Sequence, residues 1–395
     1  MSLDPFGVVQ LVCGVLGALI GLGSLAAVLR TLQALPLLSA LDDPEPAAWP
    51  SLSLLIPACN EAEALPATLD ALLRIDYPGL EVVVIDDRSS DDTPALLEEI
   101  TAQDPRITAV RIDHLPEGWL GKVHALHRGM EAVRTDWVLF MDADVALAPG
   151  SLRRAISHGE ATGVSLISAF PEIRSGGLLV DAVFNAVALS LGATRLWEVA
   201  EPNKKTAFSV GAFILVRRSA LEATEGFAWL RLEVADDMAL SLLLKQAGER
   251  IALLNGRGQI ALTWYASFAE MQRKMQKNWF GIMGRCSVVR SLALAVVLLG
   301  VPLLPFTQLL DLGVPFGVRM TLLVVGAAGM AAACLQWAHS TRRPLVTAAI
   351  PWLGNALMAW MLVRSAIIGA RIGGIEWRGV RYSSATLNAG RRVFF

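Results

Sequence analysis

Two aspartates separated by one residue, Asp142 and Asp144, follow an apolar run at 137–141 and precede Pro149 and Gly150. An unbroken apolar run of this length reads as a strand buried on both faces, so the carboxylates fall at its carboxyl end. Two carboxylates this close repel each other, which makes a bound cation a natural third party. Oxygen ligands suit Mg2+ or Mn2+, and magnesium is often held by one or two carboxylates plus substrate phosphates. Taken alone, D-x-D is also compatible with a solvated acidic turn. A second pair, Asp236-Asp237, stands before an apolar helical pattern; it suits proton transfer, or simply favours the dipole of a helix start. Asn60-Glu61 and Asp86-Asp87 each follow an apolar run, at 51–57 and 80–85, and Lys122 closes the loop Gly118-Trp119-Leu120-Gly121-Lys122. Asp91 and Asp92 are placed to cap the helix that follows them. His124 and His127 lack further ligand-type neighbours and read as surface or packing residues.

These groups need a scaffold. Apolar runs at 51–57, 80–85, 107–112 and 137–141 alternate with helical patterns at 61–73, 94–100 and 123–133. That alternation predicts an α/β fold with a doubly wound, mostly parallel sheet. Polar clusters end three of the strands at one edge, where such sheets bind ligands. Further strands are expected at 164–169, 209–216, 251–254 and 259–264, and a helix opens at 233–238. Residues 177–197 and 267–283 read as helices lying in a membrane interface, the second basic through Arg273, Lys274 and Lys277.

The chain has 395 residues, of which 54% are apolar and 18% charged, against roughly a quarter charged in ordinary soluble chains. The deficit sits at the two ends. Residues 6–29 carry no charge and are long enough to span a bilayer. The runs at 291–310, 320–338 and 345–363 have similar length and character. The expected domains are an N-terminal anchor (1–34), a proline-rich linker (35–50), a catalytic domain (51–285, with a nucleotide-binding half at 51–150 and an acceptor half at 151–285), C-terminal membrane helices (286–370) and a basic tail (371–395). Arg30 points to a cytoplasmic catalytic domain. Three spans after that domain would carry the basic tail to the far side, unless one run is re-entrant; Pro302, Pro305 and Pro351 interrupt two of them. A net charge of −2 argues against nucleic acid as a partner. The four cysteines have neither zinc spacing nor a disulfide framework.

Five segments in order carry a family resemblance: I-P-A-C-N-E at 56–61, D-D-R-S-S-D-D-T at 86–93, D-A-D at 142–144, V-G-A-F-I-L-V-R-R-S-A-L at 210–221 and A-D-D-M-A-L at 235–240. Residues 51–285 resemble the family 2 glycosyltransferases, inverting enzymes of GT-A fold. The flanking apolar runs look like the membrane-bound, lipid-glycosylating branch, which includes ceramide glucosyltransferases and the hopanoid- and carotenoid-associated enzymes. G-W-L-G-K at 118–122 and W-R-G-V-R-Y at 377–382 are most similar to the last two groups. The resemblance implies a nucleoside-diphosphate sugar donor, UDP-linked in expectation, a lipid acceptor in a bacterial inner membrane, and a divalent metal. It assigns Asp144 as metal ligand, with Asp142 as a second or water-mediated ligand or a ribose contact. Asp87 would accept from the base imide beside Asp86, with Pro57, Asn60 and Glu61 bordering the donor and Lys122 near the diphosphate. Asp237 would be the base, supported by Asp236.

One departure is visible. Polymer synthases and ceramide glucosyltransferases carry Q/R-x-x-R-W after the acid pair, but here Met275-Gln276-Lys277-Asn278-Trp279 has asparagine where the arginine would stand. That weighs against a processive polysaccharide synthase. A haloacid-dehalogenase-type phosphoryl-transfer enzyme also uses D-x-D, but from the first strand of its domain, whereas three strands precede it here. A transporter or scaffold is disfavoured because no inverted repeat is visible.

Overall fold

A computed structural model describes residues 4–394. By internal packing the chain falls into two compact units that are not consecutive in sequence. One comprises residues 35–174, 198–263 and the tail from 374; the other comprises the N-terminal helix, residues 175–197 and residues 264–373. Residues 175–197 and 264–285, expected within the catalytic domain, therefore pack with the apolar helices. The tail, expected to stand apart, packs with the catalytic sheet.

That sheet is built from β1 (Leu52–Ala58), β2 (Leu80–Asp87), β3 (Ile107–Ile112), β4 (Trp137–Phe140), β6 (Leu166–Phe170), β8 (Ile214–Arg217) and β9 (Ile251–Asn255). Two short strands, β5 (Ala146–Leu147) and β7 (Glu172–Ile173), flank β10 (Ile260–Leu262) in a separate three-stranded sheet. The seven strands run in the order β3-β2-β1-β4-β8-β6-β9. Neighbours are parallel except β8, which is antiparallel to both β4 and β6. The doubly wound, mostly parallel sheet read from the sequence is thus present. Every residue of β1 and β4 is buried, because helices cover both faces and leave no side for polar residues. The chain winds outward from β1 to β3, then returns to β4 on the other side of β1. Strand order reverses at that point, and the carboxyl ends of β1 and β4 open a crevice there.

Local differences from the sequence reading have physical causes. The helix expected from 61 starts at Leu65, after a turn. Asp86 and Asp87, expected beyond their strand, are the last two residues of β2 and are buried. Residues 177–197 do not form one helix: Leu178–Ala186 gives way to a 3-10 turn and shorter pieces. The expected 267–283 helix is α-helical over Phe268–Lys274, and Asn278 and Trp279 open a π-helical turn. The Val288–Gly300 helix tightens to 3-10 over Val301–Leu309, where Pro302 and Pro305 donate no backbone hydrogen bond.

In the apolar unit, four helices have the length and hydropathy to cross a membrane: Pro5–Ala34, Val288–Leu309, Phe316–Ser340 and Pro351–Ile372. This is the expected count of one N-terminal and three C-terminal helices. The first and third meet through small residues, since a side-chain carbon at Gly21 would lie 2.4 Å from the Gly326 carbonyl oxygen. Asp181, a charge within the apolar 177–197 stretch, is buried against Arg343. Trp264 stacks on Phe184, and Arg30 lies over the Trp197 ring.

Candidate active site

A cavity in the catalytic unit is lined by Pro57, Lys122, Met141, Asp142, Gly211, Asp236 and Asp237 together with apolar side chains of Leu126, Phe140, Ile214, Phe227 and Leu240. Its members come from several separate segments. Pro57 is the second-to-last residue of β1, Asp142 follows β4, and Lys122 sits in the first turn of the Gly121–Ala132 helix. Gly211 lies ahead of β8, and Asp236 and Asp237 begin the Asp236–Gln246 helix. The aspartate pair thus does start a helix, where its dipole favours negative charge, and also faces the cavity.

Lys122 Nζ donates to Asp142 Oδ1 at 2.8 Å and lies 3.7 Å from Asp236 Oδ2. Asp237 accepts from the Met238 amide at Oδ1 (2.8 Å) and from the Gly211 amide at Oδ2 (3.1 Å). A side-chain carbon built on Gly211 would be 3.3 Å from Lys122 Nζ and 3.7 Å from both Asp142 Oδ2 and Asp237 Oδ2. Three charged groups therefore converge on the space that glycine leaves open. Burial, then the neighbouring Asp236, raise the Asp237 pKa from 3.8 to about 6, against the lowering effects of Lys122 and of the Met238 and Gly211 amides. Burial would lower the Lys122 pKa, but Asp142, Asp236 and Asp237 outweigh it and hold the ammonium charged. A carboxylate poised near neutrality beside a fixed cation can take a proton from a hydroxyl.

The remaining sequence candidates divide. Asp142 shares the cavity with Asp237, whereas Asp144 is exposed and does not line it. Among the described residues no group of three or more His, Cys, Asp or Glu side chains forms a metal cage. Two carboxylates on one loop, one of them in water, nevertheless fit an ion that completes its shell with phosphate oxygens and water. Asn60, at φ 59°, accepts from the Ser90 amide (2.8 Å) and donates its own amide to Ser89, clipping the loop after β1 to the loop after β2. Its acceptor oxygen is occupied by that clip. The Glu61 amide donates to Thr93. Asp91 accepts from Ala62 and Thr93 amides, so it caps as expected, while Asp92 makes no side-chain cap. His124 and His127 pack against Trp119.

Asp86 accepts from the Ser89 amide. Asp87 is fully buried, with Oδ1 held by Arg88 Nε at 2.8 Å and Oδ2 by Arg378 Nη1 at 2.9 Å. Burial alone would raise its pKa; the two arginines outweigh it and hold the carboxyl below the ordinary aspartate range. Each Asp87 oxygen, expected to meet a base imide, already accepts from an arginine. Sequence reasoning missed Arg88, Arg378 and the Gly211 amide as site components. The motif segments at 86–93, 210–221 and 377–382 contain all three, but nothing in their spacing says that they meet.

Comparisons with known proteins agree with this architecture. Residues 53–224 match the family described as Glycosyl transferase family 2. The 4,4'-diaponeurosporenoate glycosyltransferase of Staphylococcus haemolyticus (strain JCSC1435) is 24% identical over 56% of this chain and 59% of its own length. The beta-monoglucosyldiacylglycerol synthase of Synechocystis sp. (strain ATCC 27184 / PCC 6803 / Kazusa) is 27% identical over 57% of this chain and 48% of its own. The chain thus spans about half the length of these curated relatives. In fold it resembles the mannosyltransferase PcManGT from Pyrobaculum calidifontis, solved with GDP-Man and Mn2+. The TM-score is 0.52 at 19% identity, covering 91% of this chain and 98% of that one. The match to glycosyltransferase family 2 thus falls on the segment that builds most of the GT-A-like, mostly parallel sheet.

Proposed function

We propose that the protein is a membrane-bound inverting glycosyltransferase that moves a sugar from a nucleoside-diphosphate sugar, UDP-linked, to the hydroxyl of a lipid. The observation that carries this reading is the convergence of Asp237, Asp142 and Lys122 over Gly211, with the Asp237 pKa raised to about 6. Inversion needs one base on the acceptor side, and Asp237 is that base. Its backbone partners at Met238 and Gly211 fix the carboxylate, so the attacking hydroxyl meets an oriented acceptor. Asp236 raises the basicity of its neighbour and shares the Lys122 charge. Lys122 sets a permanent cation at the cavity, where negative charge gathers on the departing diphosphate.

Asp144 and Asp142 are the residues that would hold Mg2+ or Mn2+. Such an ion, when bound, supplies charge stabilisation to the diphosphate oxygens. The lipid acceptor is supported by four helices of spanning length and by relatives whose names specify a carotenoid acid and a glycolipid. A cytoplasmic catalytic unit is supported by Arg30 at the end of the uncharged N-terminal run. The test is transfer of radiolabelled hexose from UDP- and GDP-sugars to a bacterial lipid extract by the detergent-solubilised full chain. Label in the organic phase that disappears in Asp237→Asn is the expected result. Phosphate release without transfer would overturn the proposal.

A further inference from the structure

The roles above leave the C-terminal tail and the Asp87 cluster unused. The tail forms a hairpin, β11 (Gly374–Trp377) and β12 (Val380–Ser383), joined by Arg378-Gly379. Both turn residues have positive φ, 49° and 74°, as in the two-residue turns that match strand twist. An arginine adopts that conformation at a cost, which is kept where surrounding contacts fix it. Those contacts are the Asp87 carboxylate and the Pro57 carbonyl, to which Arg378 Nη1 and Nη2 donate at 2.9 and 3.4 Å. The far end of the tail is fastened as well. Arg392 and Val393 amides donate to Glu233 Oε2, just ahead of the Asp236-Asp237 pair.

Asp87 has one charge and two guanidinium groups on it, and no exposure with which to meet a ligand. Arg88 Nη2 is buried without a hydrogen-bond partner. Arg378 has five N–H donors, and two acceptors account for only part of them. A side-chain carbon at Gly121, one residue before Lys122, would strike both Arg88 Nη2 and Asp87 Oδ2 at 2.7 Å, so the cluster abuts the helix that carries Lys122. Pro57 belongs to both the cluster and the cavity. The whole group lies at the carboxyl ends of β1 and β2, the edge at which doubly wound sheets take nucleotides. Unfilled donors at that edge call for a ligand rich in acceptors.

We propose that Arg378 is a donor-binding residue: the tail hairpin completes the nucleoside end of the site, and Arg378 and Arg88, oriented by Asp87, donate to the base and ribose oxygens of the sugar nucleotide. This rests on the glycosyltransferase reading and adds to it the residues that grip the nucleoside. Asp87 then orients two guanidinium groups instead of touching the base.

The experiment titrates full-length protein in nanodiscs with UDP and with GDP by calorimetry, for wild type, Arg378→Ala and Arg378→Lys, alongside thermal melting and donor KM and kcat. Arg378→Ala is expected to weaken binding of the preferred nucleotide by at least about tenfold. Donor KM should rise while kcat changes little. Arg378→Lys, which keeps the charge but not the fork, should fall between. Nucleotide affinity within about twofold of wild type in both variants would overturn the inference, even if their melting temperatures fall, since that is what a purely structural strap would do. If the alanine variant does not fold, the lysine variant decides by the same criterion. A wild-type chain that binds neither nucleotide would instead overturn the donor reading itself.

Discussion

Replacing Asp237 by asparagine separates the chemistry of the site from its stability, because burial acts on the two in opposite directions. With its pKa raised from 3.8 to about 6, the carboxylate of the free enzyme is about one-tenth ionised at pH 5 and about nine-tenths at pH 7. The wild-type kcat/KM should therefore rise about tenfold between those values. Asp237→Asn should lose at least about a hundredfold at every pH and show no such rise. Stability runs the other way. An acid whose folded pKa lies above its unfolded value binds protons more tightly when folded, so stability falls as pH rises from 3.8 through about 6. At about 1.4 kcal/mol per pH unit, ionised Asp237 costs on the order of 3 kcal/mol above pH 6. Asparagine removes that cost but offers one acceptor oxygen to the two amides of Gly211 and Met238, which returns about 1–3 kcal/mol. The variant should thus be no less stable than wild type at pH 8 and less stable at pH 4. The assays are initial rates across pH 5–8 with subsaturating donor and acceptor, and melting in nanodiscs at pH 4 and 8. A flat wild-type profile between pH 5 and 7, or a variant that keeps a tenth of the activity, would refute the assignment of the base.

Three further outcomes are expected. Lys122→Met removes the cation that lowers the Asp237 pKa, so the midpoint of the pH–rate profile should move above 6; melting should drop by less than the ~3–5 kcal/mol of a fully buried broken pair, because Asp142 is 31% exposed. Asp144→Asn should leave melting unchanged within about 0.5 kcal/mol, since the residue is exposed, while EDTA-treated protein should need more Mn2+ or Mg2+ to regain half-maximal transfer than treated wild type. Arg343→Met leaves Asp181 buried and unpaired and should destabilise by about 3–5 kcal/mol; adding Asp181→Leu should recover much of that loss, which a thermal shift series would show.

The mostly parallel sheet was legible because β1, β2 and β4 are apolar runs that stop in polar residues. Asp142, Asp236, Asp237 and Lys122 were legible because their types and their positions after strands or before helices carry chemical meaning, and the cavity brings these four together. Asp86 and Asp87 were read as loop residues because carboxylates are almost never buried unless paired. Their burial depends on partners, and one of them, Arg378, is 291 residues away from Asp87. No periodicity links such positions. The breaks in the 177–197 and 267–283 patterns were hidden for a different reason. Apolar spacing registers which face is buried, but it does not register a 3-10 or π turn that keeps the same face inward.

The tail hairpin also fixes an arithmetic of passage. The chain leaves the catalytic unit after residue 263 and rejoins it at 374, where Arg378 meets Asp87. A polypeptide that starts and finishes on one face of a bilayer must traverse it an even number of times. Three helices long enough for the journey lie in that interval, an odd number. The Val288–Leu309 stretch differs from the other two in its second half, which is wound as a 3-10 helix around two prolines.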